Sequence, residues 1–332
     1  MSSIITQPPS CLSWQQELAC SFSDPEHLLD HLGLERKLCN RRASASFAFR
    51  VPRPFAARMR RGDPQDPLLL QVLPLGEENA ETPGFLSDPV GDRQAQVAPG
   101  LIHKYQGRAL LIATGACAVH CRYCFRREYP YHDNQLTGGR LQTVLMYLHN
   151  EPSIQEIILS GGDPLVMSDS KLDTLIAALA DVPHLRRLRI HSRLPVVLPS
   201  RVDGGLIETL TASRLQTLMV VHINHANEID DDVRVAIERL KGAGLLVLNQ
   251  STLLAGINDD LDTLTELQEQ LFEAGILPYY LHLLDRAQGT AHFEVPESSA
   301  KALHEGLRRR LPGYLVPRLA RDNPHTPYKT LL

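Results

Sequence analysis

The chain has 332 residues, 43% hydrophobic and 22% charged, enough to bury one large core or a large and a small one. Its 34 Lys and Arg against 38 Asp and Glu give a formal charge of −4, which argues against a general basic surface and so against nucleic acid as a partner. No apolar run of about 18 residues and no basic-then-apolar leader occurs, and the six cysteines lack a disulfide-framework spacing, so no membrane partner and a cytoplasmic location are expected.

Short helical patterns at 14–18, 27–32 and 35–49, with Asp24 and Pro25 as a start signal and Gly33 as a stop, predict a small helical layer. Arg58, Arg60 and Arg61 read as a solvated helix face. The Pro- and Gly-dotted stretches 62–67 and 76–100 have no hydrophobic periodicity and read as loops. A helical N-terminal region over 1–100 and a second domain over 101–332 are therefore expected.

From 101 onward the pattern alternates. Strand-like runs at 109–114, 155–160, 186–191, 216–223, 245–249 and 278–284 are each followed by a helix-like segment, at 139–150, 169–181, 203–212, 230–242, 260–274 and 297–310. Six β-then-α units predict an α/β fold with a parallel sheet and helices outside it. No G-x-G-x-x-G follows the first strand, so an open, partial TIM-type barrel is preferred to a dinucleotide-binding sheet.

Polar residues stand at every strand end: the cysteines of 117–124, SGGD at 160–163, His191 to Arg193, His222 to His225, Asn249 with Gln250, and His282 with Asp285. Any one of these is ordinary turn chemistry. Their recurrence at six successive ends marks an active site on the C-terminal face of a barrel.

The run GACAVHCRYCFRR at 115–127 places Cys117, Cys121 and Cys124 in a C-x3-C-x2-C spacing. Thiolates are the usual iron–sulfur ligands, and a four-iron cluster normally takes four. Three leave one iron open to a substrate or cofactor. A zinc site with His120 or His132 as fourth ligand, or a redox dithiol, uses the same residues. Cys11, Cys20 and Cys39 are scattered and take no part in the spacing. Tyr123 completes a pattern that resembles the radical S-adenosylmethionine signature.

With CRYCFRR, the segments SGGDPL at 160–165, IHSRLP at 190–195, HINHANE at 222–228, NQS at 249–251 and PYY at 278–280 through Asp285 resemble the lysine 2,3-aminomutase family in order and spacing, over essentially the whole chain. VPRP at 51–54 and GDPQDPL at 62–68 look most like the branch that makes (R)-β-lysine for elongation factor P. The resemblance implies a 4Fe-4S cluster on Cys117, Cys121 and Cys124, S-adenosyl-L-methionine at the open iron, and pyridoxal 5′-phosphate held by Lys329. By itself a lysine so near a C-terminus reads as a solvated tail residue. Its approach, RDNPHTP at 321–327, also departs from the glycine-rich run of free-lysine relatives.

By the same resemblance Arg108, Gln250 and its neighbour Asn249 match cofactor contacts, and Lys104 stands where relatives have the better phosphate fork, arginine. Ser160, Gly161, Gly162, Asp163 and His222 match contacts to S-adenosylmethionine. Arg126 matches the partner of the substrate carboxylate, and Asp285 with Asp322 the partners of a lysine ε-ammonium, a charge costly to bury unpaired. Two carboxylates there would repel a glutamate.

The implied reaction begins when the reduced cluster cleaves adenosylmethionine. A 5′-deoxyadenosyl radical takes hydrogen from lysine Cβ, and the amine migrates. Elongation factor P, its lysyl-ligase-like modifying enzyme and an electron donor are the implied partners. Two other readings stand beside this one: a free-lysine 2,3-aminomutase of catabolism or osmolyte synthesis, and a non-enzymatic iron–sulfur or zinc protein.

Overall fold

The computed structural model describes residues 12–134, 136–324 and 326–332. The N-terminal layer is built from α1 (Trp14–Ala19), α2 (Pro25–Leu32), α3 (Arg41–Ser46), α4 (Arg53–Ala57) and α5 (Pro67–Leu70). Local chemistry starts and stops them. Ser13 and Gln16 form a reciprocal capping box on α1, and Asp24 caps α2 before Pro25. Gly33, at φ 72°, ends α2. The helical stretch expected over 35–49 is broken: a single turn at Arg36–Leu38 stops, and Asn40 Oδ1 accepts from Ala43 N at 3.0 Å to begin α3 afresh.

Ten strands follow in one sheet, ordered as in the chain: β1 (Gln96–Ala98), β2 (Leu101–Tyr105), β3 (Arg108–Thr114), β4 (Glu156–Gly161), β5 (Arg187–Ser192), β6 (Gln216–Val221), β7 (Leu246–Thr252), β8 (Leu277–His282), β9 (Arg318–Arg321) and β10 (Thr330–Leu331). Strands β3 to β9 run parallel, while β1, β2 and β10 add antiparallel edges. The crossovers are α6 (Gly138–Asn150), α7 (Asp169–Ala180), the short α8 (Leu194–Val197) with α9 (Gly204–Thr211), α10 (Asp231–Gly242), α11 (Leu261–Glu273) and α12 (Glu297–Arg310). All six expected β/α units are present, and β9 adds a further parallel strand.

Side-chain alternation explains why the interior is not an oil core. On β5, Leu188 and Ile190 are buried among the helices, while Arg189 and His191 face a central cavity. On β7, Val247, Asn249 and Ser251 are buried, and Gln250 and Thr252 face the cavity. Residues of β2 to β5, β7 and β8, with His222 at the exit of β6, line that one space, so the sheet curls round it as an open barrel does. Trp14, Leu28, Leu29 and Phe55 share one apolar core with Leu188, Leu206 and Ile237, so the helical layer packs directly on the barrel. Fully burying each leucine contributes about 1.5–3 kcal/mol.

Two stretches depart from the sequence reading. Arg58 is not solvated: its guanidinium donates to Val196 O at 2.6 Å and to Glu228 O, locking the helical layer to the exits of β5 and β6. The loop 76–95 is a strap. Leu86 N donates to Arg286 O at 2.9 Å and Gln288 N to Leu86 O at 3.0 Å, which ties the segment before β1 to the exit of β8. Among the described residues no helix is long and apolar enough to cross a membrane.

Candidate active site

The cysteine loop leaves β3 and is fastened on both sides. Arg122, fully buried, forks onto Glu78 at 2.8 and 2.6 Å and also donates to the carbonyls of Ala43 and Phe47. Arg127 reaches the same Glu78 carboxylate at 2.8 Å. Breaking such a buried pair costs about 3–5 kcal/mol. These two arginines of CRYCFRR are therefore pins to the N-terminal layer, and of the three only Arg126 faces the cavity.

The other fastening comes from β4. Gly162 N donates to Thr114 O at 2.7 Å and Asp163 N to Ala116 O at 2.8 Å. A β-carbon on Gly162 would lie 2.3 Å from Ala116 O; one on Gly161, whose φ is +112°, would lie 2.8 Å from Ile112 Cγ2. The paired glycines let the strand end and the cysteine loop touch backbone to backbone. Asp163 is occupied as a clamp: its carboxylate accepts from Leu165 N, Ser192 Oγ, Arg193 N and Leu194 N at 2.7–3.1 Å.

Cys117, Cys121 and Cys124 line the head of a cavity of about 270 Å³. Burial, then the neighbouring thiols, push Cys117 well up, and burial pushes Cys124 to about 11. Uncompensated thiols in this setting need a cationic centre to become thiolates. His132 stands exposed beside Asp133, and the His120 ring packs on Phe47 at 5.5 Å.

Lys329, Asp322, Asp285, Arg108 and Gln250 line the same cavity. Lys329 Nζ donates to Asp322 Oδ2 at 2.7 Å, and Tyr105 OH to Asp322 Oδ1 at 2.6 Å. Burial opposes ionisation of Asp322, but the Lys329 charge and both hydrogen bonds hold its carboxyl below the usual range. Asp285 has no such donor. Burial and the charge of Asp322 push it up to about 7. Arg126 Nε donates to Asp92 Oδ2 at 2.7 Å, and its Nη1 to Ser160 Oγ at 3.2 Å. Lys104 Nζ takes the other oxygen of Asp92 at 2.6 Å.

Gln250 Nε2 lies 3.0 Å from His222 Nε2 and 3.4 Å from His191 Nδ1. Burial drives His222 and His282 down to about 3 and His191 well below its ordinary value, so these three histidines are neutral at neutral pH. His191 Nε2 and Arg189 Nε are buried on the wall with no protein partner. Three thiols, two lysine amines, two unpartnered ring and guanidinium nitrogens and a glycine cradle on one cavity are the kinds of group that a cluster and two polar cofactors require.

Comparison with known proteins gives the same answer. Residues 111–267 match the radical SAM superfamily. An L-lysine 2,3-aminomutase of Escherichia coli is 48% identical over the whole chain and 98% of its own length. One from Haemophilus influenzae is 45% identical over 96% of this chain and 95% of its own. The chain belongs to the lysine 2,3-aminomutase family. A relative of that name from Clostridium subterminale is 36% identical over 79% of this chain, which covers 63% of the clostridial protein.

As a member of this isomerase family with a radical SAM domain, the chain works with a 4Fe-4S cluster and S-adenosylmethionine. Of the residues singled out in the sequence, Cys117, Cys121, Cys124, Ser160, Gly161, Gly162, Asp163, His222, Arg108, Gln250, Arg126, Asp285, Asp322, Lys104 and Lys329 all reach the aminomutase cavity. Asn249 does not line it. Its amide is spent on Ile223 and Ser251, where it staples β7 to the exit of β6. The sequence reading missed Asp92, Arg189 and Tyr105. For Arg189 a signal existed, since the Arg187, Arg189, His191 alternation against Leu188 and Ile190 marks an inward polar face.

Cys20 is exposed and Cys39 donates to Arg36 O at 3.2 Å, both in the helical layer; Cys11 lies outside the described residues. Changing all three to serine is expected to leave iron content at the parental level. Iron lost from that triple variant after anaerobic reconstitution would overturn the three-cysteine assignment.

Proposed function

We propose that this chain converts L-α-lysine to (R)-β-lysine for attachment to elongation factor P, in the cytoplasm, alongside a lysyl-ligase-like modifying enzyme and an electron donor. The observation that carries the reading is a single cavity that bears the three thiols of Cys117, Cys121 and Cys124 together with Lys329, Arg126, Asp285 and Asp322. When bound, the cluster and adenosylmethionine supply the hydrogen-abstracting radical, and pyridoxal phosphate supplies the π-system across which an amine moves.

The chain's own residues then hold and orient. Cys117, Cys121 and Cys124 would hold the cluster, and Ser160, Gly161, Gly162 and His222 would present polar groups to adenosylmethionine. Lys329 holds pyridoxal phosphate, with Arg108 and Gln250 as further contacts. Arg126 takes the substrate carboxylate. It arrives preset, because Asp92 fixes its Nε edge and raises its hold on the proton against the cost of burial. Asp285 and Asp322 take the ε-ammonium, and the neutral histidines add no competing charge. In this reading residues 1–100 pin the cysteine loop and 101–332 form the radical barrel with its lysine tail.

One feature favours the elongation factor P branch over free-lysine metabolism: the resemblance of the 51–54 and 62–68 segments. The test is anaerobic incubation with lysine, both small cofactors and dithionite, followed by chiral chromatography, beside the mass of elongation factor P in cells with and without this gene. Formation of (R)-β-lysine and loss of the added mass on deletion are expected. An unchanged mass would move the protein to free-lysine metabolism, and a colourless, zinc-bearing preparation would end the enzyme reading.

A further inference from the structure

Arg193 enters the barrel at the exit of β5 and is 5% exposed. Its backbone N–H is clamped by Asp163 Oδ2 at 2.8 Å, and its guanidinium passes between the Phe55 and Tyr123 rings, 5.2 and 5.8 Å from their centroids. Beyond them the two ends divide. Nη2 donates to Gln71 Oε1 at 2.5 Å and to Glu228 Oε2 at 2.9 Å, while Nη1 points at Cys121 Sγ from 2.8 Å.

Glu228 is fully buried and saturated. Its second oxygen accepts from Gln71 Nε2 and from the N–H groups of Asn224 and His225, at 2.8–3.2 Å. The carboxylate cannot swing to take the whole guanidinium, so part of that charge stays directed at sulfur. Asn224 holds Tyr123 OH at 2.7 Å, which keeps the ring wall in place.

We propose that Arg193 is a positioning residue that sets the reduction potential of the cluster through the Cys121 sulfur, with Glu228 as its counterweight. The proposal rests on the three-cysteine reading above. The step is a one-electron reduction of the oxidised cluster by a low-potential one-electron reductant, with no bond made or broken in the protein. The reduced cluster carries one more negative charge, and a hydrogen-bonded cation held against a ligand sulfur in a dry site favours that state. Weakening the cation lowers the potential. Weakening the anion that competes for it raises the potential.

The experiment is an anaerobic redox titration of the reconstituted full-length protein, followed by the electron paramagnetic resonance signal of the reduced cluster, after iron and sulfide have been counted. Arg193→Met is expected to make reduction about tenfold less favourable, a fall of about 59 mV for one electron. Arg193→Lys, which keeps a charge but not the fork, should fall between Met and the parent. Glu228→Gln should move the midpoint the other way. A structural role alone cannot give opposite signs.

A loaded Arg193→Met protein with the parental midpoint overturns the proposal, as does a Glu228→Gln midpoint that falls. If Arg193→Met fails to load iron, the sign in Glu228→Gln decides. A parent that holds no cluster would refute the cysteine reading instead, which separates the two failures.

Discussion

Lys329→Ala is expected to cut lysine turnover by at least about a thousandfold, equivalent to about 4 kcal/mol at 1.4 per tenfold, while iron content stays at the parental level. The two proposed cofactor anchors sit on different parts of one sheet. The thiols lie in the loop after β3, whereas Lys329 lies just before the edge strand β10, held to β9 by the Thr330–Arg321 pairing. Removing the amine leaves Asp322 with the Tyr105 hydroxyl and disturbs no contact of the cysteine loop.

Borohydride reduction and peptide mapping locate the cofactor in the parent. Lys104 is the serious competitor, because it also lines the cavity, but its ammonium is committed to Asp92 and to Val90 O at 2.6 and 2.7 Å. Lys301 pairs with Glu297 on the half-exposed face of α12. A pyridoxyl label on either, with none on Lys329, would refute the assignment.

The legible parts of this molecule were those with a period. Six parallel strands and their helices announce themselves because each buries one face against its neighbours, so hydrophobic spacing survives along the chain. The edges do not. Strand β10 has two residues and β1 has three, too few to show alternation, yet β10 fixes the tail that carries Lys329 to β9.

Asn249 shows a different limit. A polar residue at a strand end looks like a ligand until parity is counted. Asn249 shares its face with Val247 and Ser251, which point into the protein, while Gln250 points into the cavity. The period-two rule could have separated them.

Asp92 and Glu78 were illegible for a third reason. Both lie in a stretch with no periodicity, and their partners Arg126 and Arg122 are 34 and 44 residues away, so nothing local marks them. The irregular chain reads as loop because its order is imposed from outside, by buried cations that need a carboxylate.

Asp285→Asn and Asp322→Asn are each expected to lower lysine turnover by roughly two to three powers of ten, while both proteins still bind pyridoxal phosphate. Losing one partner of a buried pair costs about 3–5 kcal/mol, and two carboxylates sharing one ammonium soften that loss. The two differ in pH dependence. In the cofactor-free protein the Lys329 charge and the hydrogen bonds from Lys329 and Tyr105 hold the Asp322 carboxyl below the usual range despite burial.

Asp285 is different because burial, then Asp322, raise it to about 7. Below that pH the free enzyme carries it protonated, without the charge that attracts an ammonium, and above it the charge is present. For the parent, kcat/KM for lysine should therefore fall about tenfold per pH unit on the acid side of about 7, as a single titrating group requires. Asp285→Asn should lose that limb and keep a low, flat profile, whereas Asp322→Asn should retain a limb moved to lower pH, because the like charge that raises Asp285 is gone.

The assay is turnover of lysine, norleucine and glutamate by parent and variants across pH 5.5 to 9. A parent that prefers an amino acid without a terminal ammonium, or Asn variants with full lysine activity, would refute the carboxylate pair as the lysine-recognising element. An acid limb that persists unshifted in Asp285→Asn would place the titrating proton on another group.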